Sequence, residues 1–133
     1  MPEREGVVAF VRGTLGCACP DDVFEQIETS CSPGHLRLDV GGRLLVYVIA
    51  GTDAGDVRER LPAWVQDGVA ERDRYGMNRF RLVLGSADPG AVRAVAEPAF
   101  AALAAGDDHV HLHCLHNAAL APLLAAPAPA TTR

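Results

Sequence analysis

At 133 residues, 49% hydrophobic and 22% charged, the chain is long enough to bury one core unaided and too apolar to be disordered. A formal net charge of −5 excludes an overall pull toward nucleic acid or anionic membrane, and no segment approaches the roughly 18–20 apolar residues of a membrane span. The opening Met1-Pro2-Glu3-Arg4-Glu5 does not read as an export signal, so the four cysteines are expected reduced, catalytic or metal-bound, in the cytoplasm.

From Glu5 to Leu15, the residues Val7, Val8, Phe10, Val11 and Leu15 gather on one side of a helix, and Gly16 stops it. A second helix opens at Cys19, with Pro20 at its first position and Asp21 and Asp22 in its first turn. Val23, Phe24 and Ile27 form its apolar stripe, and it is expected to run to about Thr29 before Ser32-Pro33-Gly34 ends the unit. His35 to Val40 then alternates with period two, Gly41-Gly42 supplies a tight turn, and Arg43 to Ala50 makes a second, more apolar strand. Val57, Leu61, Trp64, Val65 and Val69 recur at helical spacing, in a helix that Pro62 is expected to kink or divide. Asn78 to Gly85 reads as a strand. Ser86-Ala87-Asp88-Pro89 starts another helix, with Val92, Val95, Ala99, Phe100 and Leu103 as its stripe and a disturbance expected at Pro98. Gly106-Asp107-Asp108 turns into a last strand, His109 to Leu115, and the Ala/Pro-rich tail from about Ala121 is expected to fray.

This order predicts one α/β (α+β) domain over residues 1–120, with residues 121–133 as the tail. Its sheet is expected to have four strands and mixed pairing: a β-hairpin followed by βαβαβ, preceded by an N-terminal helix pair. Alternation divides the strands into faces. Phe80, Leu82 and Leu84 oppose Arg79, Arg81 and Val83; Val110, Leu112 and Cys114 oppose His109, His111 and His113. Leu36, Leu38 and Val40 oppose His35, Arg37 and Asp39. The expectation is an apolar face beneath the two crossover helices and a polar face carrying His and Arg, joined by Tyr47 and Ile49. If the N-terminal helices roof the polar face, they carry Cys17 and Cys19 toward the histidines.

Two clusters bear chemistry. In Cys17-Ala18-Cys19-Pro20, unpaired N–H groups and the helix dipole stabilise thiolate, the form that attacks electrophiles and binds soft metals, while Asp21 and Asp22 oppose it. His111 and His113 share one strand face about 6.5–7 Å apart at the backbone, close enough to converge on one ion, and His116 lies just beyond. Cys17, Cys19, His111 and His113 are therefore the candidate metal ligands, for zinc or iron, and Cys17 and Cys19 the candidate redox pair. The plain alternatives are buried cysteines at a helix corner and a solvated histidine face. Cys31 is expected at the far end of its helix from Cys19, and Cys114 in the core. Arg37, Arg43, Arg79 and Arg81, with Tyr47, offer a shallow basic surface for phosphate, carboxylate or single strands, although one aromatic and an acidic chain make nucleic acid a poor fit.

No Gly-x-x-x-x-Gly-Lys loop, Gly-x-Gly-x-x-Gly turn, Gly-x-Ser-x-Gly elbow or His-Glu-x-x-His helix is present, so no nucleotide cofactor is expected. The first reading is a thiol-site protein, metal-binding through Cys and His or cycling between dithiol and disulfide. The second is a non-enzymatic module that dimerises or docks a protein partner through the polar sheet face or the N-terminal helices.

Overall fold

The computed structural model describes Phe10, residues 27–32 and residues 35–120. These form β1 (Ile27–Ser32), β2 (His35–Val40), β3 (Leu44–Ile49), α1 (Ala54–Arg74), β4 (Arg79–Ser86), α2 (Pro89–Leu103) and β5 (Val110–His116), then a short 3-10 turn at Asn117–Leu120. The strands lie side by side in sequence order. β1, β2 and β3 pair antiparallel, while β3, β4 and β5 pair parallel.

The sheet thus has five strands rather than four. The extra one is β1, which occupies Ile27–Ser32 where a helix was expected to continue to about Thr29. Ile27, Thr29 and Cys31 alternate with Glu28, Ser30 and Ser32, and β2 offers a full edge of six partners, Ile27↔Val40 through Ser32↔His35. Pairing along that edge outweighs a helix stripe of three apolar residues. The rest of the expected helix pair, Cys17 and Cys19, and the tail lie outside the described residues.

The hairpin forms as its glycines demand. Gly41 and Gly42 have φ of 62° and 68°, the left-handed pair that a type I′ turn requires. Arg43 N donates to the Val40 carbonyl at 3.1 Å, and Asp39 Oδ1 accepts from Gly42 N at 2.8 Å. Asp53 caps α1 by accepting from Asp56 N at 2.8 Å, and Asp88 caps α2 by accepting from Ala91 N at 3.2 Å. Neither Pro62 nor Pro98 divides its helix. Both are exposed, as are Arg58 and Ala94, whose carbonyls lose a donor, so the unpaired carbonyls belong to residues at the solvent-facing side.

One sheet face is covered by both helices. Leu45, Tyr47, Ile49, Phe80, Leu82 and Leu84 pack there against Val57, Leu61, Val65, Val92 and Ala96. Each large apolar side chain so buried contributes about 1.5–3 kcal/mol. The approach is close enough that Gly68 of α1 lies directly on the Phe80 ring, and a Cβ there would sit 2.0 Å from a ring carbon.

The opposite face carries a second core of Leu36, Leu38, Val40, Leu44, Val46, Val48 and Val83, closed by Phe10 and Leu120. Two face expectations are therefore reversed. Leu36, Leu38 and Val40 lie away from the helices, and Tyr47 and Ile49 lie beneath them. The register is the reason: Leu36 is level with Val48, and Val48 with Val83, so all three point to the Arg79/Arg81 side. Alternation sorts a strand into two sets of residues but does not say which set meets the helices.

Candidate functional site

Arg79 and Arg81 leave β4 on the face away from the helices, and His111 and His113 leave β5 beside them. Arg81 is level with His111 and Val83 with His113. Each guanidinium reaches forward to the next imidazole. Arg81 Nη1 lies 2.8 Å from His113 Nε2, and Arg79 Nη1 lies 3.4 Å from His111 Nε2. The four side chains form a ladder along the parallel pair, with His109 at its lower end bonded through Nδ1 to the Asn78 carbonyl at 3.1 Å.

Proton positions follow from what each group can do. A guanidinium only donates, so His113 Nε2 accepts and the neutral ring carries its proton on Nδ1. The same holds, through a longer contact, for His111. Burial first, then Arg81 and His111, push the His113 pKa down to about 4. Burial, Arg81, Arg79 and His109 lower His111, with Asp107 opposing. Arg81 is itself lowered, by burial and then by Arg79, and its Nε is buried without a partner. Among the described residues, no Asp or Glu forms an ion pair with Arg79 or Arg81.

The other sequence candidates divide between the faces. Arg37 and Tyr47, grouped above with Arg79 and Arg81, lie under α1, where Glu71 accepts from both Arg37 Nε and Tyr47 Oη. His35 stacks on Tyr47 with ring centroids 4.7 Å apart, and Tyr47 meets Phe80 edge-on at 5.0 Å. Burial and the Glu71 carboxylate raise the Tyr47 phenol above its ordinary value. This cluster ties β2 and β3 to α1 and uses its charges internally. Arg43 is exposed in the hairpin turn. Cys31 belongs to β1, far in sequence order from β5, and Cys114 is buried on the helix side, where burial raises its thiol pKa. His116 ends β5 and accepts from Ala118 N through Nδ1 at 3.1 Å. Glu71, the residue that organises the helix-side cluster, has no motif to mark it in the sequence.

An open polar cleft lies beside Arg72, Met77 and Asp107. Its one guanidinium is already held by Asp73 at 3.0 Å and Asp107 at 2.8 Å, so it has no free charge to offer a ligand. Among the described residues, no group of three or more His, Cys, Asp or Glu is arranged to hold a metal, and no helix is long and apolar enough to cross a membrane. Comparison with protein families, with curated proteins and with solved structures found no match to the chain.

Proposed function

We propose that this chain is a thiol-site protein, with Cys17 and Cys19 as its working dithiol and the Arg79/Arg81/His111/His113 ladder as the surroundings that favour thiolate. The observation that carries this reading is Phe10. It is 2% exposed and packs with Val83, Val46 and Leu120, on the same sheet face as the ladder. Cys17 follows Phe10 by seven residues, a reach of about 10 Å if helical and about 23 Å if extended. A span of that length permits the cysteines to reach the two arginines, and the reading rests on their doing so.

Nearby guanidinium charge lowers a thiol pKa. It also repels a divalent cation, and Arg81 already engages His113 Nε2, one of the two ring nitrogens through which a metal could bind. These two effects favour the dithiol form over the Cys/His metal form. In the reaction, the Cys19 thiolate attacks a substrate disulfide and displaces one thiol. Cys17 then attacks the mixed disulfide and releases the second, so two protein thiols are oxidised as one disulfide is reduced to two thiols.

The test is elemental analysis of untagged protein together with mass-mapped alkylation at pH 7, before and after treatment with oxidised glutathione. The dithiol reading expects no stoichiometric metal, Cys19 labelled faster than an unperturbed thiol, and both cysteines protected after oxidation. Near one zinc or iron per chain with both cysteines protected beforehand would make them metal ligands instead. Slow, ordinary labelling with no oxidation would sink the thiol site. It would favour a docking module, for which the position of β5 as an edge strand among the described residues is the specific observation.

A further inference from the structure

The ladder on β4 and β5 has a hydrogen-bonding imbalance that the thiol reading does not use up. A guanidinium has five donors and no acceptor, and an imidazole whose Nε2 is taken by a guanidinium has one donor left, at Nδ1. Arg79 and Arg81 each spend one Nη1 contact on a histidine ring, and Arg81 Nε is buried with nothing to bond. The acceptors within the array, the two Nε2 atoms, are thereby consumed. What remains presents donors only, with two fixed positive charges.

The described neighbours do not correct this. β3 contributes Leu44 and Val46 beside Arg79 and Arg81, both buried and apolar. Of the described carboxylates, Asp107 acts on His111 through its charge, but it is bound to Arg72 and to His109 N. Elsewhere the chain neutralises its part-buried arginines, Arg37 with Glu71 and Arg72 with Asp73 and Asp107. Arg81 stands apart from that pattern.

We infer that Arg79, Arg81, His111 and His113 form a binding site for a small-molecule oxyanion of the phosphate type. Successive same-face residues of a strand are about 6.5–7 Å apart and neighbouring strands about 4.8 Å apart, so one tetrahedral anion can take donors from both arginines and a ring Nδ1. Forked guanidinium donors match its geometry, and the apolar floor of Leu44 and Val46 strengthens each charged bond. The site needs no cysteine. If the dithiol reading also holds, the oxyanion belongs to the substrate that the dithiol acts on.

The experiment is calorimetric titration of the full chain with inorganic phosphate at constant ionic strength, with chloride as the control. Saturable binding is expected for phosphate and not for chloride, about tenfold weaker or worse in Arg81→Gln, because one charge-assisted bond carries at least that factor. Arg79→Gln alters an exposed residue, so it reads the site without threatening the fold, and it is expected to weaken phosphate in the same direction. The double change Cys17→Ser/Cys19→Ser is expected to bind phosphate as the wild type does, which separates this site from the thiol reading. Absence of saturable binding in the wild type, or equal affinity in wild type and Arg79→Gln, would overturn the inference.

Discussion

Gly68→Ala is the sharpest perturbation of the scaffold that holds the ladder. Gly68 lies on the buried face of α1, and an added Cβ would meet three atoms of the Phe80 ring at 2.0, 2.3 and 2.4 Å. Carbon pairs prefer about 3.5–4.0 Å, so the ring or the helix must move by more than 1 Å. Phe80 has little room to yield. It is fully buried, level with Leu45 on β3 and Val110 on β5, and held edge-on by Tyr47. Overpacking of this kind costs about 1–3 kcal/mol or more, against which alanine regains about 0.8–1.0 kcal/mol of helix propensity. A clash this short belongs at the upper end of that range or beyond. The net expectation is a loss of about 2 kcal/mol, or a fall in Tm of roughly 5–10 °C for a domain of this size. Urea unfolding followed by the single tryptophan, Trp64 on the same helix, measures it directly. The double variant Gly68→Ala/Phe80→Leu is expected to recover part of the loss, giving a favourable coupling in a double-mutant cycle. A Gly68→Ala protein as stable as the wild type would refute the close helix–sheet approach.

Three further outcomes follow from the site and its supports. Tyr47→Phe removes one of two donors to Glu71 and leaves Arg37, so a loss of about 1 kcal/mol is expected by urea unfolding. Arg72→Met leaves Asp107 without its partner and is expected to cost about 1–3 kcal/mol, with the Asp107 pKa returning upward toward its ordinary value by NMR titration. His113 is held neutral down to about pH 4 in the folded chain, while the unfolded chain takes up that proton near the ordinary value of about 6.5. The folded state is therefore fully favoured above about pH 6.5 and loses stability as pH falls toward 4, and His113→Gln is expected to flatten the unfolding midpoint between pH 6.5 and 5.

Much of the fold was legible in local pattern. Gly41-Gly42 between alternating runs marks the hairpin, and the alternation of apolar strands with helical spacing marks the βαβαβ unit. Two features were not. β1 carries a period-two signal, but Val23, Phe24 and Ile27 carry a competing helical one, and only the six-residue edge of β2 decides between them. The facing of β2 depends on register with β3, which places Leu36 beside Val48 and Val83 and so unites its leucines with the Arg/His side. At the site, alternation put Arg79, Arg81, His111 and His113 on common strand faces, but their engagement of one another comes from the parallel register of β4 and β5. That register turns two separate side-chain rows into one ladder, and it separates Arg37 and Tyr47 from them.

The role proposed for the ladder is to stabilise thiolate electrostatically. Its most direct test is the pH dependence of Cys17 and Cys19 alkylation, resolved by mass, in wild type and Arg81→Gln. At least one thiol is expected to titrate below about 8.5 in the wild type and to move upward in Arg81→Gln. Both thiols titrating at the ordinary value, with no change in Arg81→Gln, would contradict it.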